Sequence, residues 1–482
     1  MLHRNSALSV DAMNRWELER WNPLNGSTLL TACNTLTDGG TWSLGSLAGS
    51  ANGTNGYAVT SAASTSNKIP GNVVKIRANK GYDLYGRFVH TGFVNPTGRM
   101  QFLITNEGRD ATDTGNGIQT ITIRVTSETG AHAASAYTNC FYTYVTVPIG
   151  TWLVTVDGMA DPQISALASA TPTADNINCG WFAKGSPSWD TTMTVVDFYW
   201  GGDGNTTPGI NVAEVRYGGT AKAIIAVGAD DNRRRWFTHG IPILENYGIM
   251  SMVYHITNTL DTEGAIGGST DYATEAQMVS AYARGAILIG GHTGNHGIGS
   301  DLGGGTSSSF LTTTSHIARI EPEYLISYNK CIEMGWTDWN CHQFVASPFG
   351  NKRRLAVSAA HETAFRNIGI TDCRLANQTP VTGVADDFSR PCLYVDDGTA
   401  INARGMSLRK LNKLVNAGAV IEELWHNAIA DGGSPTASLD AFDATVEAHA
   451  QALAEYQEAG KAIVAPYPMI KHYLGSKKIH SR

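Results

Sequence analysis

Charge is scarce in this chain. Of its 482 residues, 16% are Asp, Glu, Lys or Arg, and the formal net charge is −7. Binding nucleic acid through its phosphates requires a clustered basic surface. The short run Arg233-Arg234-Arg235 does not amount to one; it reads as a solvated patch or as a site for an acidic ligand. No stretch of about 18 apolar residues occurs, so no membrane-spanning helix is expected. The opening Met1-Leu2-His3-Arg4-Asn5-Ser6 leads to Asp11 and Glu17-Leu18-Glu19-Arg20 without an apolar h-region, so no secretory signal is expected. The 7 cysteines are scattered, odd in number and form no CxxC pair. That excludes a disulfide framework and a cysteine-type zinc site, and leaves them as small buried hydrophobes. Solenoid-length repeats are also missing.

What is present divides the chain in two. Length alone implies two or three domains, and a hydrophobic fraction of 42% is enough for large cores. Residues 25–217 are rich in Gly, Thr, Ser and Asn. They alternate apolar and polar residues, as in Gln119-Thr120-Ile121-Thr122-Ile123-Arg124-Val125 and Thr194-Val195-Val196-Asp197-Phe198-Tyr199-Trp200. A period of two between turn-forming clusters predicts an all-β sandwich, jelly-roll-like, in this segment. Residues 1–24 form an N-terminal segment with a short helix that carries Leu18 and Trp21. Within 218–482, apolar runs at 223–227, 250–255, 286–290, 342–346, 367–373 and 419–425 alternate with helical stretches at 273–284, 315–335, 354–366, 406–416 and 439–459. Such alternation predicts a parallel α/β fold, an open or incomplete barrel, with functional residues at the carboxyl ends of its strands.

Four such ends carry candidate chemistry. The run ending at Ile289 leads into Gly291-His292-Thr293-Gly294-Asn295-His296. Imidazole is the commonest neutral metal ligand, and four-residue spacing brings two side chains together on a helical turn. The run Ala223–Val227 leads into Gly228-Ala229-Asp230-Asp231. Two His and one Asp would leave an open position on a zinc-like ion, as catalysis requires. The neighbouring carboxylate is then free to take a proton from water; the plain alternative is an acidic turn or helix cap. Ser347-Pro348-Phe349-Gly350 follows a third run as a tight turn whose Phe349 N–H is a candidate oxyanion donor. The fourth run ends in Glu423-Leu424-Trp425-His426. There His426 is a candidate general acid, with Leu424 and Trp425 shaping an apolar pocket.

In this order the four pieces resemble the polysaccharide deacetylase family (NodB homology). Its motifs are Thr-Phe-Asp-Asp-Gly, His-Ser/Thr-x-x-His, Arg-x-Pro-x-Gly and Leu-x-His. The resemblance spans roughly residues 220 to 475. It implies a distorted (β/α) barrel in which Asp231, His292 and His296 bind a divalent metal, most often Zn2+, with Co2+, Ni2+ or Mn2+ as alternatives. Asp230 would be the base and His426 the acid. The Phe349 N–H would receive the oxyanion, and Leu424, Trp425 and Pro348 would contact substrate. The family's third-motif Arg, which holds the base, is Ala346 here. Arg374 is the candidate replacement from a neighbouring strand, with Arg404 and Arg353 as others.

The resemblance implies a metal-dependent deacetylase acting on an acetylated poly- or oligosaccharide. Sandwich aromatics such as Tyr82, Tyr85 and Trp189 are either half-buried sheet residues or surfaces for stacking on sugar. A different class of function is a degenerate, non-catalytic carbohydrate-binding or structural protein of a virion or surface. A phage tail component, trimeric and acting on a bacterial surface polysaccharide, would unite the two.

Overall fold

A computed structural model describes residues 14–44, 58–66, 69–77, 84–106, 119–129, 137–147, 150–160, 180–200, 209–262, 271–296, 314–346, 359–374, 392–394, 403–425 and 439–474. Helix α1 covers residues 14–20. Twelve strands follow among the described residues: β1 (Ser27–Thr31), β2 (Thr41–Leu44), β3 (Ala58–Ala63), β4 (Asn72–Arg77), β5 (Leu84–Phe93), β6 (Met100–Asn106), β7 (Gln119–Thr126), β8 (Cys140–Val147), β9 (Gly150–Val156), β10 (Phe182–Lys184), β11 (Met193–Trp200) and β12 (Gly209–Gly218). They form two antiparallel sheets, β3-β4-β12-β6-β9 with β1 added on β12, and β10-β8-β7-β11-β5-β2. The sequence alternation does its expected work. Ile104, Trp152 and Val212 of one sheet share a core with Phe88, Ile123 and Phe198 of the other.

The remaining strands run parallel: β13 (Ala223–Asp230), β14 (Ser251–His255), β15 (Ile287–Gly291), β16 (Phe344–Ala346), β17 (Asp372–Arg374), β18 (Cys392–Tyr394), β19 (Val420–Trp425) and β20 (Ala462–Val464). Their order is β17-β16-β15-β14-β13-β19-β18, with β20 also on β13. Helices α2 (Ile241–Asn246), α3 (Glu275–Ala283), α4 (Thr314–Glu333), α5 (Ala359–Asn367), α6 (Ala403–Ala417), α7 (Leu439–Glu458) and α8 (Tyr467–Leu474) accompany them. Both faces of this sheet are covered, so its strands read as continuous apolar runs. Ile225, Val227, Val253 and Ile421 pack under Leu411, Leu414, Val446 and Leu453 of the helices. Ile224, Ala226, Met252, Tyr254 and Leu288 face the opposite, interior side. This is an open (β/α) barrel. None of the described helices is long and apolar enough to cross a membrane.

Three features depart from expectation. The N-terminal segment is not separate: Leu18 and Trp21 are buried in the barrel's interior cluster with Ile224 and Tyr467, and the Trp21 indole donates to the Lys222 carbonyl at 2.8 Å. The strand expected from His342 begins only at Phe344. Residues Asp338–Gln343 form a 3-10 segment in which Trp339 and Asn340 are left-handed. The strand expected from 367 begins at Asp372, because α5 runs to Asn367 and the chain reverses at Gly369, at φ +87°.

His255 closes β14 directly beneath the candidate site. It is fully buried, with Nδ1 donating to the Gly290 carbonyl at 2.9 Å and Nε2 facing the Thr257 hydroxyl at 3.2 Å. Burial lowers its pKa from 6.5 to about 4. The unfolded chain therefore binds this proton first as pH falls, and stability is lost between the two values. Urea unfolding from pH 7 to 4 should show the wild type losing about 3 kcal/mol more than His255→Gln over that window. Parallel pH profiles for the two proteins would remove His255 as the cause.

Candidate active site

Consecutive residues on a strand face opposite ways, so Asp230 and Asp231 can converge only if the backbone reverses. It does. Asp230 ends β13 on the interior face, and the chain then enters the left-handed region at Asp231 (φ 67°) and Asn232 (φ 39°). Among residues with a Cβ, Asn tolerates this region best, so Asn232 can stand where the family motif has Gly. Its side-chain oxygen also accepts from Ile256 N at 2.9 Å, which ties the turn to the end of β14.

The histidines follow β15. Thr293 (φ 76°) and His296 (φ 57°) are left-handed, and the segment is a bend rather than a helical turn. Thr293 Oγ1 accepts from His296 N at 2.8 Å. Glu323 of α4 accepts from Gly294 N through its carbonyl, at 2.9 Å, and from Asn295 N through its carboxylate, at 3.1 Å. The two imidazole rings lie 4.9 Å apart.

Asp231 Oδ1 is 3.3 Å from His292 Nε2 and 3.4 Å from His296 Nε2. Ligands about 2.0–2.1 Å from one tetrahedral ion stand about 3.3–3.4 Å apart, and both distances from Asp231 match that spacing. Among the described residues these three form the cluster able to hold a metal. His292 Nδ1 donates to the Ala346 carbonyl at 3.0 Å, which fixes the tautomer that leaves Nε2 as a ligand. Asp231 and His292 are buried, whereas the His296 side chain is 41% exposed, leaving an approach from solvent.

Two arginines orient the two aspartates. Arg233 Nη2 pairs with Asp231 Oδ2 at 3.2 Å, so Oδ1 is the oxygen turned to the imidazoles. Arg374 Nη2 pairs with Asp230 Oδ1, and Asp230 Oδ2 lies 4.0 Å from His292 Nε2. Arg374 and Ala346 are register partners on β17 and β16. The cation missing from one strand is thus supplied by the next, at the same level of the barrel.

Other candidates fall elsewhere. Leu424 is buried beside Gly228 in register, on the Asp230 side of the sheet. Trp425 takes the opposite face, stacked on Trp236 at 5.6 Å within the helix-side core; the strand alternation turns it away from any pocket shared with Leu424. His426, Phe349, Pro348 and Arg353 lie outside the described residues, as do the side chain of Arg404 and the whole of Tyr82. Tyr85 is buried with its hydroxyl on Asp197 at 2.8 Å, and Trp189 stacks on Phe141 at 4.0 Å, so neither is a free platform. The Arg233–Arg235 run is not a solvated patch. Arg234 pairs with Asp271 at 2.7 Å, and Arg235 lies over the Phe442 ring. Sequence reading missed Arg233, whose adjacency to Asp231 was its signal, and Glu422, which pairs with Arg374 Nε at 3.7 Å.

Burial lowers the affinity of His292 for a proton, but the carboxylates of Asp230 and Asp231 outweigh it and the net shift is upward. Metal binding requires the neutral ring. Zinc stoichiometry after dialysis should be about one per chain at pH 8. It should fall as pH drops and protons compete for the imidazoles, and it should be absent in His296→Ala. Zinc retained by His296→Ala would exclude this site.

No family profile matches the chain, and no curated relative matches it. Solved structures do. The Xyl-CE4 domain of a multidomain xylanase from the hindgut metagenome of Trinervitermes trinervoides is 13% identical, with TM-score 0.31, over 54% of this chain and 96% of that one. The chitin deacetylase from the fungal pathogen Colletotrichum lindemuthianum is 13% identical, with TM-score 0.33, over 53% of this chain and 89% of that one. A family 11 carbohydrate-binding module of a Clostridium thermocellum cellulase is 13% identical, with TM-score 0.25, over 41% of this chain and 96% of that one.

Proposed function

We propose that residues 218–482 form a metal-dependent carbohydrate deacetylase, with residues 25–217 as a jelly-roll-like accessory unit. One observation carries the reading. Three ligand atoms suited to a single ion lie beside a second carboxylate whose far oxygen is held by a buried arginine. Asp231, His292 and His296 would hold the ion; zinc is the proposed occupant, since catalytic zinc sites use two His and one carboxylate with a fourth position open. When bound, the ion supplies Lewis-acid polarisation of an acyl oxygen and acidifies water.

The chain's own residues supply the rest. Arg374 occupies Asp230 Oδ1 and so leaves Oδ2 as the oxygen that takes a proton from the attacking water. His426 directly follows β19, the strand beside β13, and is assigned the acid that protonates the leaving amine or alcohol. The Phe349 N–H is assigned to the oxyanion, with Leu424 lining the acetyl pocket and Pro348 at its edge. An Arg absent at 346 would favour a non-catalytic protein, and the Arg374–Asp230 pair speaks against that reading.

Zinc-loaded protein incubated with N-acetylated chito-oligosaccharides and O-acetylated xylan should release acetate. Asp230→Asn should lower kcat by about 10²–10⁴ while keeping its zinc. Arg374→Ala should also lower turnover; unchanged kinetics would remove Arg374 from the site. A stoichiometrically loaded wild type that releases no acetate from any acetylated glycan would overturn the deacetylase reading and bring the binding protein forward.

A further inference from the structure

Behind the candidate base, the barrel interior holds a second carboxylate. Glu422 is fully buried on β19. Its Oε2 lies 3.7 Å from Arg374 Nε, and the Tyr254 hydroxyl donates to its two oxygens at 2.9 and 3.1 Å. The Arg374 guanidinium lies over the Tyr254 ring, 4.7 Å from its centroid. Arg374 therefore has Asp230 on Nη2, the Glu422 carboxylate at ion-pair distance from Nε, and on its face the tyrosine that orients Glu422.

Three departures from the motif pattern meet in this group. Ala346 lacks the expected cation, Arg374 supplies it from β17, and Gly228 replaces the first-motif Thr. The glycine is required by the glutamate: a Cβ at 228 would lie 2.6 Å from Glu422 Oε1 and 2.8 Å from the Glu423 carbonyl oxygen. Any side chain at 228 would compete with the Glu422 carboxylate for the same space.

We propose that Glu422 is a positioning residue, and that Gly228, Glu422, Tyr254 and Arg374 form one clamp that sets the orientation of Asp230. Its catalytic consequence rests on the deacetylase reading. A buried guanidinium with one carboxylate partner would turn to engage both oxygens of that partner, since the bidentate arrangement is the strongest available to it. For Asp230 this would cover Oδ2, the oxygen needed for the proton. The buried charge of Glu422, 3.7 Å from Nε, competes for the guanidinium and keeps Arg374 on Oδ1 alone.

The test uses the zinc-loaded full chain. Glu422→Gln keeps shape and removes charge. It should retain one zinc per chain, lower kcat on acetylated chito-oligosaccharide 10–100-fold and leave KM within about twofold. Glu422→Asp should recover part of the loss. In an Arg374→Met background, Glu422→Gln should cause no further loss, because the two act as one unit. Wild-type kcat in Glu422→Gln, or an equal loss in both backgrounds, overturns the proposal. A second readout needs no activity. Arg374→Met leaves a buried carboxylate without its cation, so the double variant Arg374→Met/Glu422→Leu should melt at a higher temperature than Arg374→Met alone. Additive melting losses would overturn the clamp even if the protein proved not to be a deacetylase. A zinc-loaded wild type without activity, combined with coupled melting, would instead overturn the deacetylase reading and leave the clamp standing.

Discussion

Everything at this site depends on a backbone reversal immediately after β13. A strand that ended in Asp230-Asp231 without it would send one carboxylate into the barrel and the other under the helices. The left-handed pair Asp231 and Asn232 costs conformational energy at two residues that carry a Cβ, and such strain persists only where the surroundings fix it. Here they do. The Asn232 side chain is bound to Ile256 N, and Asn232 O accepts from Ala273 N at 2.9 Å. The same device recurs at Thr293 and His296. Both loops that carry ligands thus hold strained backbone, and each is tied to a neighbouring strand or helix.

The second constraint is charge in a dry interior. Asp230 and Glu422 face Arg374 where none of the three is more than 4% exposed. Desolvating such groups is costly, and removing one partner from a buried set costs more than replacing the whole set by apolar residues. The arrangement is thus a poor source of stability and a good source of orientation. The tyrosine ring, the arginine plane and two carboxylates restrict one another to a single geometry. Asp231 is treated the same way, with Arg233 on one oxygen and the imidazoles near the other.

Much of this was legible in the sequence, for identifiable reasons. Apolar runs ending in Asp-Asp and in a Gly-rich His pair mark strand ends. The missing arginine at Ala346 called for a cation nearby, which singled out Arg374. What escaped notice depends on parity and on distant pairing. Trp425 and Leu424 are neighbours in sequence but lie on opposite faces of β19. Glu422 and Glu423 look like a polar interruption of an apolar run, yet one faces the barrel and the other binds His449 of α7 at 2.7 Å. The arginine run resembled a solvated patch because its partners, Asp271 and Phe442, are remote in sequence. Left-handed residues outside glycine leave no pattern, so the bend at His292–His296 resembled a helical turn.

The placement of the antiparallel unit follows from the linkers. The chain enters it after Trp21 and leaves it before Lys222, and these passages run side by side. Thr220 N donates to Asn25 O at 3.0 Å, and Gln101 of β6 donates to Pro23 O at 2.7 Å. Lys222 also pairs with Glu17 at 2.6 Å. All of this lies at the amino end of β13, whose 8 residues separate it from the carboxylates by about 26 Å. Lys413, near the end of α6, adds a contact to the Met159 carbonyl on the same side. The antiparallel sheets are therefore fastened to the end of the barrel remote from the site. That end lies opposite the carboxyl ends of the strands, where Asp230, Asp231, His292 and His296 stand.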